Sequence, residues 1–321
     1  MKILITGTGL IGCYTAAQLI DAGHEVVLLD VSPHDEYINN VLQERKVAVR
    51  TGDIINVGQL PELQPSYQGK RIEMVVHTAG IIGGNARANP YTAMRTNLIG
   101  TIEVAEAARS VGVQRIVYAS THGVYALEKI RKSPFQEDAP VTADSVYGAT
   151  KLSSEHVLQA FGETFGMQIV ALRFTNIFGY GEFVGGSSGG SSFQQLIMAA
   201  LNNTTIPIPP SLNGNGEWLY VKDAAIAIQM ALEHPLTKLF TVANIGSGVL
   251  HDENEIVKSV KAQLPQAQFL TSKAADAPPR STERYQPFDL STAQNEIGFY
   301  PKFGLGEGIR DYIEELKRIH A

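Results

Sequence analysis

Near its start the chain runs Lys2-Ile3-Leu4-Ile5-Thr6, then Gly7-Thr8-Gly9-Leu10-Ile11-Gly12, then a helical apolar pattern at Ala16, Ala17, Leu19 and Ile20. The first segment, apolar and β-branched, suits a strand buried on both faces, which is the habit of parallel sheets. The glycine segment lies between that strand and the helix. In this context GxGxxG is a dinucleotide turn, because glycines let the backbone approach a pyrophosphate and the helix amides receive its charge. Gly7, Gly9, Leu10, Ile11 and Gly12 are therefore cofactor candidates.

Strands and helices continue to alternate. Glu25–Asp30 reads as a second strand ending in an acid 18 residues after Gly12. A carboxylate there accepts the hydroxyls of an adenosine ribose and repels a 2′-phosphate, so NAD is favoured over NADP. Residues 31–36 offer no Arg or Lys to hold that phosphate. Val47–Arg50 is a third strand leading to Gly52-Asp53-Ile54, where Asp53 either contacts adenine or caps the next helix. Met74–His77 is a fourth, followed by the small-residue turn Thr78-Ala79-Gly80, with His77 expected to be packed rather than catalytic. A helix from Pro90 to Val111 contains Asn97. Arg115–Ser120 and Gln168–Arg173 complete six strands over the first 173 residues. That alternation predicts a doubly wound parallel α/β sheet, Rossmann-like, with right-handed crossovers.

Ligands of such a sheet lie beyond the carboxyl ends of its strands. Two features fall there. Ser120-Thr121 places hydroxyls at the end of the fifth strand, and Tyr147-Gly148-Ala149-Thr150-Lys151 places a phenol and an ammonium at i and i+4, on one helix face. A free tyrosine has a pKa of roughly 10, so service as a base near neutrality asks for about 4 kcal/mol of stabilisation of the phenolate. A neighbouring cation at an effective dielectric of ~20 supplies about that much.

After Arg173 the pattern changes. A loop through Thr175–Gly181 runs into the Gly/Ser-rich stretch 185–192, read as a mobile substrate loop (182–192) more than a passive linker, with a helix from Phe193 to Leu201. Trp218–Val221 reads as a strand, Lys222–Leu232 as a helix, Asn244–Gly248 as the end of another strand, and Asp252–Leu264 and Leu305–Ile319 as helices. Residues 1–175 are expected to form the cofactor domain, with 218–248 returning to it, and 176–321 to form mainly a smaller C-terminal α/β substrate domain.

Composition excludes several classes. A net charge of −6 leaves no basic footprint for nucleic acid. The lone Cys13 allows no intramolecular disulfide and no cysteine-based zinc site, and no metal is expected. With no signal-like leader and no run of 18 apolar residues, the expectation is a cytoplasmic chain without a membrane anchor.

Taken together, these motifs resemble the extended short-chain dehydrogenases/reductases, the group that includes nucleotide-sugar epimerases and dehydratases. The resemblance covers the glycine turn, Asp30, Gly52-Asp53-Ile54, His77–Gly80, Asn97–Thr101, Ser120–Tyr125, Tyr147–Lys151, Arg173–Gly181 and Asn244–Gly248. It implies that Tyr147 is general base or acid on a substrate hydroxyl, that Lys151 holds the nicotinamide ribose and lowers the tyrosine's pKa, and that Thr121 binds the reacting oxygen. Asn97 would support the Lys151 region. Asp30 and Asp53, with Ile54, would read the adenosine end of NAD, while Thr78, Ala79 and Gly80 line it. His122, Asn176 and Arg280 would face the substrate, and a homodimer through first-domain helices is implied.

Departures narrow the chemistry. The glycine turn is one residue shorter than the family's usual GxxGxxG. His122 and Gly123 stand where 4,6-dehydratases carry an acid pair, so dehydration is rejected, and the acid of uronate decarboxylases is also missing. Gly216 stands where nucleotide-sugar enzymes place a diphosphate-binding Arg, and Arg280 matches a second such Arg. The leading expectation is an NAD-dependent oxidoreductase interconverting a secondary alcohol and a ketone on a small, polar, sugar-like substrate. The alternatives are a nucleotide-sugar epimerase that recycles tightly bound NAD and, from another class, a non-catalytic NAD-sensing protein.

Overall fold

The computed structural model describes residues 1–182, 187–212, 214–270 and 286–320. Its strands are β1 (Lys2–Thr6), β2 (Glu25–Asp30), β3 (Ala48–Thr51), β4 (Met74–His77), β5 (Arg115–Thr121), β6 (Gln168–Phe174), β7 (Asn176–Phe178), β8 (Ile206–Pro207), β9 (Gly216–Tyr220), β10 (Phe240–Ile245), β11 (Leu250–His251) and β12 (Phe269–Leu270). The helices are α1 (Leu10–Asp21), α2 (Asp35–Leu42), α3 (Gly83–Ala88), α4 (Pro90–Met94), α5 (Gly100–Ser110), α6 (Val146–Phe165), α7 (Ser188–Leu201), α8 (Val221–Glu233), α9 (Glu253–Gln263), α10 (Ser291–Ile297) and α11 (Leu305–Ile319).

Seven strands form one sheet in the order β10-β6-β5-β4-β1-β2-β3, with every neighbouring pair parallel. The period of two is visible in the packing. Ile3 and Ile5 of β1, with Val26 and Leu28 of β2, enter one apolar core with Cys13, Ala16 and Leu19 of α1 and the alanines of α8. Leu4, Val27 and Leu29 enter the other, with Val104, Ala105 and Ala108 of α5 and Leu158 of α6. Each such side chain contributes about 1.5–3 kcal/mol by leaving water, and both faces of the sheet are covered because both residue sets are apolar. The chain leaves β1 toward β2 on one side and later reaches β4 on the other, so the order reverses beside β1. The crevice outside that point is where a doubly wound sheet holds its ligand.

Two elements differ from the sequence expectation. The helix expected across Pro90–Val111 is α4 and α5 joined by a π-turn at Arg95–Ile99, and Asn97 is buried in that turn. The helix expected from Phe193 starts five residues earlier, at Ser188. Ser187 caps it by accepting from Gly190 N at 3.2 Å. Gly189 lets its first turn close on Trp218, since a Cβ there would lie 3.0 Å from the indole ring. The Gly/Ser stretch thus supplies a cap and a close helix contact; its residues 185 and 186 lie outside the described part of the chain.

β7, β9 and β11 make a second, three-stranded sheet. It is joined to the first by Thr175 and Asn176, both of which donate to Glu217 O at 3.1 Å.

Candidate active site

The glycine turn is shaped by contact on two sides and openness on a third. Gly7 has φ +92°, in the region that favours glycine. A Cβ on Gly12 would lie 1.9 Å from Gly7 O, so only glycine lets α1 start against β1. At Gly9 a Cβ would meet nothing within 4 Å, so the turn has open space above it. α1 begins at Leu10 with no side-chain cap and no acid in its first turn. Its leading amides are thus available to an anion. Asp30 closes one side: its Oδ2 accepts from Thr8 N at 2.7 Å and its Oδ1 from Ser32 N at 2.9 Å. An open glycine, uncapped helix amides and a strand-end carboxylate together fit the pyrophosphate and adenosine ribose of NAD.

Around this turn the other predicted residues fall in order. Thr78 donates to Thr6 O at 2.7 Å, which ties the Thr78–Gly80 turn to β1. Asp53 accepts from Ile55 N at 3.0 Å and caps a 3-10 turn, while Ile54 packs into the core beneath Gly100. Of the two roles open for Asp53, capping is one that its carboxylate performs. His77 is wholly buried between Thr6 Oγ1 at 2.6 Å and Thr101 Oγ1 at 2.9 Å, and burial pushes its pKa down to about 3. It is a neutral packed histidine.

Proton-transfer candidates converge where α6 meets β5. Ser145 caps α6 by accepting from Gly148 N at 3.0 Å. A Cβ on Gly148 would lie 2.3 Å from Gly123 O, so the glycine after Tyr147 lets the helix seat directly on the turn that follows Thr121. Thr121 Oγ1 accepts from Gly123 N at 3.1 Å, and its hydroxyl lies close enough to the Tyr147 phenol to oppose the rise in its pKa. Lys151 is buried; its Nζ donates to Ala119 O at 2.7 Å and stands 4.6 Å from the centre of the Tyr118 ring and 5.8 Å from that of Tyr147. Gly80 is its neighbour, with a Cβ position 3.7 Å from Nζ and 3.2 Å from Asn97 Oδ1. Asn97 bridges these parts, accepting from Ile81 N at 2.7 Å and donating to Ile81 O at 2.9 Å and Thr150 Oγ1 at 3.0 Å.

The electrostatics differ from the expectation. Burial raises the Tyr147 pKa well above its ordinary value, and the Thr121 hydrogen bond is what opposes it. Burial also pushes Lys151 down to about 7, while Glu155 pulls it back up. Lys151 spends its hydrogen bond on Ala119 O. In this arrangement desolvation dominates at both groups.

On the substrate side, His122 Nδ1 is 3.2 Å from Phe174 O, and the Asn176 amide is fixed to β9 beside the first turn of α7. A Cβ on Gly216 would lie 3.0 Å from Trp218 Nε1, so the indole already occupies the space that a longer side chain would need. Arg280 lies outside the described residues.

Behind these groups is a polar network whose members Ser120, Tyr125, Arg173 and Asn244 lie in the motifs, while its central carboxylate, Glu155, does not. Glu155 forks with Arg173 (Nη2 to Oε2 2.7 Å, Nε to Oε1 3.0 Å) and accepts from Ser120 Oγ. Arg173 Nη1 donates to Tyr125 OH at 2.9 Å, which donates to Asn244 Oδ1 at 2.6 Å. The spacing of Glu155 four residues after Lys151 was the available signal, since it puts both on the buried face of α6.

Comparison with known proteins agrees with this architecture. The profile of the NAD dependent epimerase/dehydratase family matches residues 3–246. The chain is 29% identical to the UDP-glucose 4-epimerase of Bacillus subtilis, covering 97% of this chain and 95% of that one. It is 27% identical to a putative UDP-glucose 4-epimerase of Methanocaldococcus jannaschii, covering 98% of each. The crystal structure of UDP-glucose 4-epimerase with UDP-glucose from Thermotoga maritima superposes with a TM-score of 0.82 at 22% identity, over 100% of both chains.

Proposed function

The chain belongs to the NAD dependent epimerase/dehydratase family, and from that premise we propose that it epimerises a nucleotide-linked sugar at a secondary alcohol through a transient ketone. The observation that carries the reading is the meeting of Thr121, Tyr147 and Lys151 at the carboxyl end of β5. Nothing acidic follows Thr121 to eliminate water. When bound, NAD would supply the hydride acceptor and donor that the alcohol–ketone interconversion needs.

In this reading Tyr147 must first give up its own proton, which burial opposes; its phenolate then accepts the hydroxyl proton and later gives it back, so the proton balance closes within one turnover. Thr121 donates to the oxygen on which charge develops. Lys151, with Asn97 supporting its surroundings, would hold the nicotinamide ribose side, beside Gly80. Gly7 to Gly12 would receive the pyrophosphate and Asp30 the adenosine ribose, with the Asp53–Ile54 and Thr78–Gly80 turns flanking it. His122 and Asn176 face the sugar, joined by Arg280 and the 182–192 loop. Residues 1–175 with 218–248 form the cofactor half, and the remainder the substrate half.

A homodimer in the cytoplasm completes the proposal. Tyr91, Met94 and Ile99 are 78%, 48% and 44% exposed along α4 and the π-turn, which offers apolar side chains to a second copy. Among the described residues no helix is long and apolar enough to cross a membrane.

The test is to denature purified protein, measure released NAD, and assay interconversion of UDP-glucose and UDP-galactose while following NADH. Retained NAD and interconversion without NADH accumulation are expected. Stoichiometric NADH release would overturn the reading in favour of net oxidation. That second reading, a dehydrogenase of a smaller sugar-like substrate, is supported by Gly216, where the Trp218 packing leaves no room for an anion-binding side chain.

A further inference from the structure

We propose that Glu155, braced by Arg173, is the positioning residue of the proton-transfer site: through Ser120 it locks the carboxyl end of β5 to α6, and so sets Thr121 and the Ala119 carbonyl against Tyr147 and Lys151. The inference rests on the reading of those residues as the reacting site.

Three consecutive residues of β5 meet one helix, each at a different side chain. Ala119 O accepts from Lys151 Nζ at 2.7 Å. Ser120 Oγ donates to Glu155 Oε1, one turn further along α6. The Thr121 hydroxyl lies beside the Tyr147 phenol. The middle bond alone uses side chains that touch neither ligand nor reacting atoms. Ser120, Glu155 and Arg173 are 4%, 3% and 6% exposed, so water does not compete for them. A charge this deep needs a partner with matched geometry, and the Arg173 fork supplies it at 2.7 and 3.0 Å. The other arm of Arg173 donates to Tyr125 OH at 2.9 Å and Glu137 O at 3.1 Å. Glu137 in turn accepts from Asn244 N at 2.6 Å and Thr292 Oγ1 at 2.8 Å. The carboxylate is thus anchored to β6, the loop before α6, β10 and α10, so α6 cannot shift against β5 without breaking that anchorage.

The groups facing Lys151 are few. Glu155 and Tyr147 come from its own helix, Tyr118 from β5, and the neutral His77 from β4. Glu155 is the one anion among these, and its distance from the ammonium depends on the Ser120 bond.

The test compares Ser120→Ala with Glu155→Gln and Tyr147→Phe in the NAD-loaded protein. Glu155→Gln strands Arg173 and is expected to fold poorly. Ser120→Ala keeps the ion pair and carries the test. It should lower kcat about tenfold for UDP-glucose and UDP-galactose interconversion, leave KM and NAD content within about twofold, and displace the pH profile of kcat, as expected when one hydrogen bond that orders a reacting group is lost. Amide exchange over residues 119–123 should speed up about tenfold.

A Ser120→Ala protein with a lower Tm but unaltered kcat and pH profile would show that the network only stabilises the fold, and would overturn the inference. If Tyr147→Phe retains turnover, the site reading fails instead. If the wild type does not interconvert these sugars, unaltered exchange at 119–123 in Ser120→Ala overturns the inference on its own.

Discussion

Tyr147 and Lys151 are both pushed toward their neutral forms, and for the same reason. Burial raises the phenol and brings the ammonium to about 7, because both charged forms lose water. Tyr147→Phe removes the transferable proton but no packing volume. Turnover is expected to fall by about 10²–10⁴, with NAD content unchanged on extraction. Lys151 carries a stability consequence as well. The unfolded chain keeps this proton to about 10, whereas the folded chain releases it near 7. Between those values the unfolded state binds more protons, so stability rises with pH across the window. In Lys151→Met that rise is absent. The mutant's unfolding free energy relative to wild type should therefore fall by a few kcal/mol between pH 7 and pH 10 in urea titrations.

At the scale of elements, the site depends on how closely helices approach strand ends. α1 starts against β1 because position 12 is glycine, and α6 seats on the 122–124 turn because position 148 is. Gly148→Ala puts a methyl 2.3 Å from Gly123 O, which moves the helix or the turn. We expect a loss of about 1–3 kcal/mol, read as a lower urea midpoint. A fall in kcat larger than the loss of fold would require is also expected, since Tyr147 and Thr121 ride on the two displaced pieces. The π-turn at Arg95–Ile99 is a second device of this kind. It frees the Asn97 carbonyl to accept from Thr101 Oγ1 at 2.5 Å and Ser154 Oγ at 3.0 Å, while the Asn97 side chain reaches Ile81 and Thr150. One residue thereby ties α6 to the turn that follows β4.

For the whole molecule, two expectations concern surfaces and buried charge. The exposed row Tyr91, Met94 and Ile99 should lie in a dimer contact. Replacing Tyr91 and Ile99 together by Glu should convert the protein to a monomer in sedimentation at micromolar concentration, with little change in monomer stability because both side chains are solvated there. Glu217 is different: it is 1% exposed, faces backbone amides of Gly248 at 2.7 Å and Phe288 at 2.9 Å, and burial raises its pKa to about 7. The folded chain holds this proton up to about 7, whereas the unfolded chain gives it up near 4.3. Stability therefore falls as pH rises through that interval. Relative to wild type, Glu217→Gln should become steadily more stable from pH 4.5 to pH 7. A flat difference in urea midpoints would show that the carboxylate is ionised throughout.

Much of this protein was determined locally. Alternating apolar runs specified a parallel sheet because a strand covered on both faces must be apolar on both, and the glycine turn with Asp30 pointed to a nicotinamide dinucleotide because both lie within the first strand–helix–strand unit. Tyr147 and Lys151 were legible because helix periodicity alone puts them on one face. Contacts between distant segments were decided only in three dimensions. Ser120, Glu155 and Arg173 meet through packing of β5, α6 and β6, and no spacing in the chain encodes that meeting. The early start of α7 depended on Trp218, far along the sequence, which a glycine at 189 allows the helix to touch. The protonation of Tyr147 and Lys151 was likewise beyond the pattern, because desolvation is set by everything that surrounds a group rather than by its neighbours in sequence.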